Sequence, residues 1–288
     1  MESFTLEHCR ICRSNRLQHK FDVRENPIVF CAECGFVQLG RHANEAQIRR
    51  EYSRAYFKDA KYLLDAAARR EQKRRLSFMK ECGVSSGATV LDVGCATGDF
   101  VLMAKETYSV WGTDISEDAL QIARDRNPEI AERFVCMSGR NSGVPNQHFD
   151  AITMWDVVEH LDDPVALLTQ MAGKLKRGGM LFLSSPNIGT FIGRVMGKRW
   201  AFMTPPEHIG YFSRETMRKL LGVCGLRDLK WKTKGKWISA GFLVYKAGRV
   251  FPEMIPPRFV ASTLKVGIGR FPLYIPTGDI QYAAAVIQ

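Results

Sequence analysis

The stretch Ala88-Thr-Val-Leu-Asp-Val-Gly-Cys-Ala-Thr-Gly-Asp99, followed by Trp111-Gly-Thr-Asp-Ile115, constrains the fold more than any other part of the chain. An apolar run ending at Val93 reads as a buried strand, Gly94 to Gly98 permits a tight turn with close backbone approach, and Phe100 begins a helix. A second apolar run, Val110 to Gly112, ends at Asp114, twenty positions after Gly94. A carboxylate at that place can accept both hydroxyl hydrogens of a ribose, so the pair of runs reads as a nucleoside pocket.

Charge narrows the ligand. A pyrophosphate would sit on the helix N-terminus, where acidic neighbours repel it. Here Asp92 precedes the first glycine, Asp99 follows the last, and Ala96 takes the middle place where a dinucleotide fingerprint has glycine. Such a turn suits a cofactor with an ammonium and a sulfonium and no phosphate. Through Leu91-Asp-Val-Gly-Cys-Ala-Thr-Gly98 and Asp114 the chain resembles the class I S-adenosylmethionine (SAM) dependent methyltransferases. The resemblance continues in Phe149-Asp-Ala-Ile-Thr-Met-Trp-Asp-Val-Val-Glu-His160, Leu175-Lys-Arg-Gly-Gly-Met180 and Leu183-Ser-Ser-Pro-Asn187. It implies an α/β, doubly wound, Rossmann-like fold with a seven-stranded, mostly parallel sheet. It also implies SAM contacts from Asp92, Gly94, Cys95, Ala96, Gly98, Asp114, Ile115, Ser138 and Trp155. The acid that often meets the adenine amine is missing from Cys136-Met-Ser-Gly139, which leaves Ser138 or a backbone group for that contact.

Cys9-Arg-Ile-Cys12 and Cys31-Ala-Glu-Cys34, with 18 residues between the pairs, form a second constellation. Two such knuckles can place four thiolates around structural zinc, with an iron-sulfur centre as the alternative; disulfides are disfavoured in a cytoplasmic chain. Gly35 fits a left-handed turn after the second knuckle. A ribbon this short buries too little apolar surface to fold alone, so metal binding and folding are expected to be coupled. Cys82, Cys95, Cys136 and Cys224 read as core thiols.

The expected organisation is a zinc ribbon over 1–42, a helical linker covering the cofactor over 43–85, and the catalytic core over 86–288. Ile48, Tyr52, Tyr56, Leu63, Leu64, Leu76 and Met79 fit one or two amphipathic linker helices, with Tyr52, Tyr56 and Phe57 at the pocket mouth. The run Arg69 to Arg75 reads as a solvated face rather than a phosphate-binding surface. The net charge of +11 is uneven. Residues 1–80 carry 17 bases against 10 acids, 81–228 carry 15 against 18, and 229–288 carry 9 against 2. No apolar run approaches the roughly 20 residues of a membrane span, and no signal peptide is evident, so a cytoplasmic protein is expected.

Within the core, Ser116 caps a helix to about Arg126, Arg133 to Met137 is the third strand, and Ala151 to Trp155 the fourth. Trp155 stacks on cofactor or substrate, or simply packs. Asp156 accepts from the methionine ammonium, orients an acceptor hydroxyl, or caps a helix. His160 approaches the acceptor or orders its loop. Arg177-Gly-Gly179 ends the helix Val165 to Leu175, and Met180 to Ser185 is the fifth strand. The aromatic-rich lid 188–212 is expected to recognise substrate, because long loops beyond strand ends overlie the crevice. In it, Pro205-Pro-Glu-His-Ile-Gly-Tyr-Phe212 resembles a motif of methyltransferases linked to sugar, glycan and natural-product pathways. His208 is the leading general base, or a residue that holds the lid. Leu226 to Trp237 and Ile280 to Ile287 supply the last two strands, flanking a basic insertion over 238–278.

The leading reading is a methyltransferase acting on a hydroxyl or carbon of a small acceptor, sugar-containing and nucleotide- or lipid-linked or otherwise anionic. RNA methylation through the ribbon and basic flanks is the second, and a non-catalytic SAM-binding scaffold the third. Peripheral membrane contact through the basic tail stays open, as does the oligomeric state.

Overall fold

The computed structural model describes residues 5–42, 66–137, 143–244 and 271–287. Three strands open the chain: β1 (Leu17–Val23), β2 (Asn26–Cys31) and β3 (Val37–Leu39). Helix α1 (Ala66–Glu81) leads into β4 (Thr89–Val93), α2 (Asp99–Ala104), β5 (Ser109–Asp114), α3 (Glu117–Arg126) and β6 (Phe134–Cys136). Then come β7 (Phe149–Trp155), α4 (Pro164–Ala172), β8 (Leu175–Pro186), α5 (Phe191–Met196) and β9 (Gly210–Tyr211). Helix α6 (Arg214–Val223), β10 (Leu226–Ser239) and β11 (Pro272–Ile287) close the fold.

The main sheet has seven strands in the order β10-β11-β8-β7-β4-β5-β6. The five from β8 to β6 run parallel, and β11 is antiparallel to both β8 and β10. Alternate residues of a strand point to opposite faces, and the core divides accordingly. Leu91, Ile152, Leu181 and Leu183 pack with Leu168 and Met171 of α4 and with Met217 and Leu220 of α6. Their neighbours Val90, Ala151 and Phe182 pack with Phe78 of α1, Phe100 of α2 and Leu120 of α3. Helices therefore cover both faces, a doubly wound sheet. Strand order reverses between β4 and β7, which pair directly, and this opens a crevice beyond their carboxyl ends.

Several expectations need correction. The run Arg69 to Arg75 is not uniformly solvated: Glu71, Gln72 and Arg75 are buried, while Arg69, Arg70 and Lys73 face out. The helix before β8 ends at Ala172 with Gly173 as its cap, so Gly178 and Gly179 lie inside a strand that begins at Leu175. Only the two ends of 238–278 belong to the sheet, since β10 runs to Ser239 and β11 starts at Pro272. The lid segment Gly210–Tyr211 forms the fourth strand of the ribbon sheet, pairing with Val37 and Gln38 of β3. Ile48, Tyr52, Tyr56, Phe57, Leu63, Leu64 and Ser138 lie outside the described residues. Among the described residues, no helix is long and apolar enough to cross a membrane.

Candidate active site

The turn after β4 is tight, as expected, and passes through left-handed conformations, with φ of 72° at Gly94, 47° at Ala96 and 77° at Gly98. Glycine is needed at Gly94: a Cβ there would lie 2.6 Å from a Val157 methyl. The turn hangs on β5, because the amides of Gly94 and Cys95 both donate to the Thr113 carbonyl, at 2.7 and 3.0 Å. Cys95 is buried, with its thiol against Gly112, which accounts for it as packing. Asp114 accepts from the Ala96 amide with one oxygen and from the Ser116 amide with the other, each at 2.9 Å. Each carboxylate oxygen keeps a second lone pair, so a fixed pair of acceptors faces the glycine turn where a ribose would lie. Ile115, beside it, is exposed.

The acids around the turn differ in state. Burial pushes the Asp92 carboxyl up to about 7, against a hydrogen bond from the Thr153 hydroxyl at 2.6 Å. Asp99 is paired with Arg126 at 2.6 Å, so it contributes less negative field than its position suggested.

At the end of β7, Trp155 packs among Phe100, Phe182 and Tyr282, and its indole nitrogen is buried. Asp156 has a positive φ of 57°. Its carboxylate accepts from Arg75 at 2.7 Å and from the Ser184 hydroxyl at 2.7 Å, with Lys236 at 3.7 Å. Burial alone would raise this carboxyl, but Lys236, Arg75 and Ser184 outweigh it and hold it well below the ordinary carboxylate range. Arg75 and Lys236 are residues that motif reading misses. The available signal for Arg75 was periodicity, since it shares a helix face with Phe78 and Met79, three and four positions on.

The two histidines meet. The His160 and His208 rings lie 4.8 Å apart, edge to face. His160 Nδ1 is 2.7 Å from the Glu207 carbonyl, and His208 Nδ1 is 2.8 Å from the Phe202 carbonyl. A carbonyl oxygen only accepts, so each neutral ring carries its proton on Nδ1 and its lone pair on Nε2. Phe202 is stacked parallel to His208, and Lys236 lies over the Phe202 ring at 5.6 Å. Beneath them Glu159 is 2% exposed, and burial followed by repulsion from Asp156 pushes its carboxyl well up. One ligand atom each from Glu159, His160 and His208 falls within 4.8 Å of the others, a spacing that a single divalent cation could span.

The four knuckle cysteines also converge. Cys9 and Cys34 sulfurs are 3.5 Å apart, Cys12 and Cys31 sulfurs 3.6 Å, and all four lie within 4.8 Å of one another. A tetrahedral metal with bonds of about 2.3 Å to sulfur has edges of about 3.8 Å, so the donor set fits zinc. Gly35 has the expected left-handed φ, 78°, and its amide donates to the Cys31 carbonyl.

Comparison with known proteins agrees with this layout. The ubiquinone biosynthesis O-methyltransferase of Xylella fastidiosa is 27% identical over 199 residues, covering 62% of this chain and 80% of the relative. That of Xanthomonas campestris is 27% identical over 197 residues, covering 62% and 82%. The crystal structure of magnesium protoporphyrin IX methyltransferase from Synechocystis, with bound SAH, superposes with a TM-score of 0.56 at 16% identity, covering 85% of this chain and all of that one. At that identity the likeness shows the fold alone. A family model described as a methyltransferase domain matches residues 46–230, well over half of the chain. The chain therefore belongs to this methyltransferase family and is a class I SAM-dependent methyltransferase.

Proposed function

We propose that this chain methylates a hydroxyl oxygen of a small-molecule acceptor, with structural zinc on Cys9, Cys12, Cys31 and Cys34. The observation that carries the reading is the His160–His208 pair, two imidazoles with their tautomers set by backbone carbonyls, gathered beyond the end of β7 beside the crevice. When bound, SAM supplies an electrophilic methyl on its sulfonium. Asp114 would hold the ribose hydroxyls, the turn from Gly94 to Gly98 would let the backbone approach, and Arg75 would meet the α-carboxylate. Asp156 stays ionised and fixes Arg75 and Lys236. His208 takes the acceptor proton at Nε2 as the oxygen attacks, with His160 ordering it, and alignment supplies the rest of the rate.

Oxygen is preferred to carbon because the relatives are named for O-methylation. Nothing in the site singles out a sugar. The RNA reading finds no support among these relatives, and three bases of the C-terminal flank are already engaged, Lys230 and Lys232 with Glu81 and Lys236 with Asp156. The scaffold reading has no counterpart among these enzymes.

The test offers methyl-labelled SAM with a panel of catechols, dihydroxybenzoates, hydroxylated sugars and a short RNA. Label on the oxygen of a small hydroxylated acceptor is expected, with His208→Asn slowing turnover at least tenfold while leaving S-adenosylhomocysteine (SAH) affinity unchanged. Label on carbon, or on RNA alone, would overturn the reading. Elemental analysis should find about one zinc per chain; iron would overturn the metal assignment.

A further inference from the structure

The ribbon is fastened to the acceptor side of the crevice at several points. Arg10, between Cys9 and Cys12, is only 2% exposed, and its guanidinium donates to the Leu39 carbonyl at 2.7 Å, the Arg41 carbonyl at 2.7 Å and Asp162 at 2.6 Å. Asp162 stands two residues past His160. Arg13 pairs with the next residue, Asp163, at 2.8 Å. The second attachment is main-chain: Leu39 donates to the Ile209 carbonyl at 2.8 Å, and Ile209 donates to the Glu159 carbonyl at 2.7 Å. Ile209 thus bridges the ribbon sheet to the His160 loop and is the immediate neighbour of His208. Phe36, just past the second knuckle, packs on Phe212 with ring centroids 4.7 Å apart, and Lys219 donates to the Cys34 carbonyl at 3.0 Å.

We propose that the four-cysteine ribbon is a positioning element of the acceptor site: Arg10 and strand β3 hold the Glu159–His160 loop and the His208 segment in register. The inference rests on the histidine pair marking the acceptor side, as proposed above. Its physical basis is that a ribbon too small to fold alone takes its shape from its metal, and both attachments spring from that shape. Arg10 spans three oxygens, at the end of β3, just after it and on the His160 loop, which a planar fork of donors can do and a single ammonium cannot. The cofactor turn draws its hydrogen bonds elsewhere, from Thr113 and Asp114. Acceptor and cofactor binding should therefore respond differently when the ribbon is disturbed.

The experiment uses the full chain with Arg10→Gln, Asp162→Asn and Arg10→Lys, and separately the wild type treated with a zinc chelator. Three readouts are taken: SAH affinity, amide hydrogen exchange over 158–163 and 207–212 against 89–101, and the KM for SAM and for whichever panel acceptor turns over. Expected are SAH affinity and SAM KM within about twofold, acceptor KM raised at least tenfold, and faster exchange in the two acceptor-side segments only. Arg10→Lys should fall between Arg10→Gln and wild type, and chelation should reproduce the exchange pattern. The proposal is overturned if exchange in those segments is unchanged by Arg10→Gln or by metal loss. It is equally overturned if SAH affinity and exchange over 89–101 change in parallel, which would mean general loosening. If no hydroxylated acceptor turns over, exchange and SAH binding still decide this proposal, and the hydroxyl reading fails separately.

Discussion

Replacing Arg75 by Met removes one partner of the best-defined ion pair in the site. Arg75 and Asp156 meet at 2.7 Å with side chains 11% and 26% exposed, so neither charge is well hydrated. Breaking a buried pair from one side costs about 3–5 kcal/mol, chiefly because the remaining charge is stranded. Here Lys236 remains at 3.7 Å and Ser184 still donates, so the expected cost falls at or just below the bottom of that range, about 2–3 kcal/mol. The assay is urea unfolding of the SAH-free protein at neutral pH. The pH dependence carries a sign. Asp156 is depressed in the folded protein, so its contribution is present above the carboxyl's unfolded pKa and is lost as pH falls through the folded value. Without Arg75 that folded value rises, and Arg75→Met should keep less of this contribution above the unfolded pKa and lose what remains at a less acidic pH than wild type. Adding Asp156→Asn removes the stranded charge, and the double variant should recover at least about 1 kcal/mol. The reasoning is refuted if Arg75→Met costs under about 0.5 kcal/mol, or if the double variant is no more stable than the single.

Asp114→Asn should weaken SAH binding at least thirtyfold by calorimetry, since an amide replaces one of the two acceptor oxygens proposed to meet the ribose; a change under threefold would move the ribose elsewhere. Asp92 behaves oppositely to Asp156: its folded pKa is raised to about 7, so its contribution is fully present below the ordinary carboxyl pKa and is lost as pH rises through about 7. SAH-free wild type should therefore lose stability across that window by up to about 1.4 kcal/mol per pH unit, and Asp92→Asn should flatten the slope; equal slopes in urea titrations would contradict the assignment. Gly94→Ala places a methyl 2.6 Å from Val157 at a φ of 72°, for an expected loss of about 2 kcal/mol or more, partly restored by Val157→Ala. No recovery in thermal unfolding of the double variant would show that the contact is not the cause.

What could be read in the sequence was local. The turn from Gly94 to Gly98, Asp114 at the end of β5, the Ser116 cap and the left-handed Gly35 are each set by a few adjacent residues, and each stands where expected. Tertiary partners decided the rest. Arg75 looked like one base in a solvated run, and its partner in the interior, Asp156, lies 81 positions away. Gly178 does adopt the left-handed conformation of a helix cap, but within the irregular start of β8, where its pairing with β7 shifts register, so glycine alone could not tell the two apart. Gly210 and Tyr211 carry no pattern of their own. They become a strand because β3, some 170 residues earlier, offers them an edge, and the ribbon therefore looked more separate in sequence than it is. His160 and His208 were legible as residues of interest, whereas their meeting at 4.8 Å was not.

The most direct test of the account is to follow methyl-labelled SAM into product with a hydroxylated small acceptor, comparing wild type with His208→Asn. The account predicts label on an acceptor oxygen, stoichiometric SAH, and a variant that binds SAH normally but turns over at least tenfold more slowly. Tight SAH binding with no oxygen methylation across the panel, or full activity in His208→Asn, would contradict it.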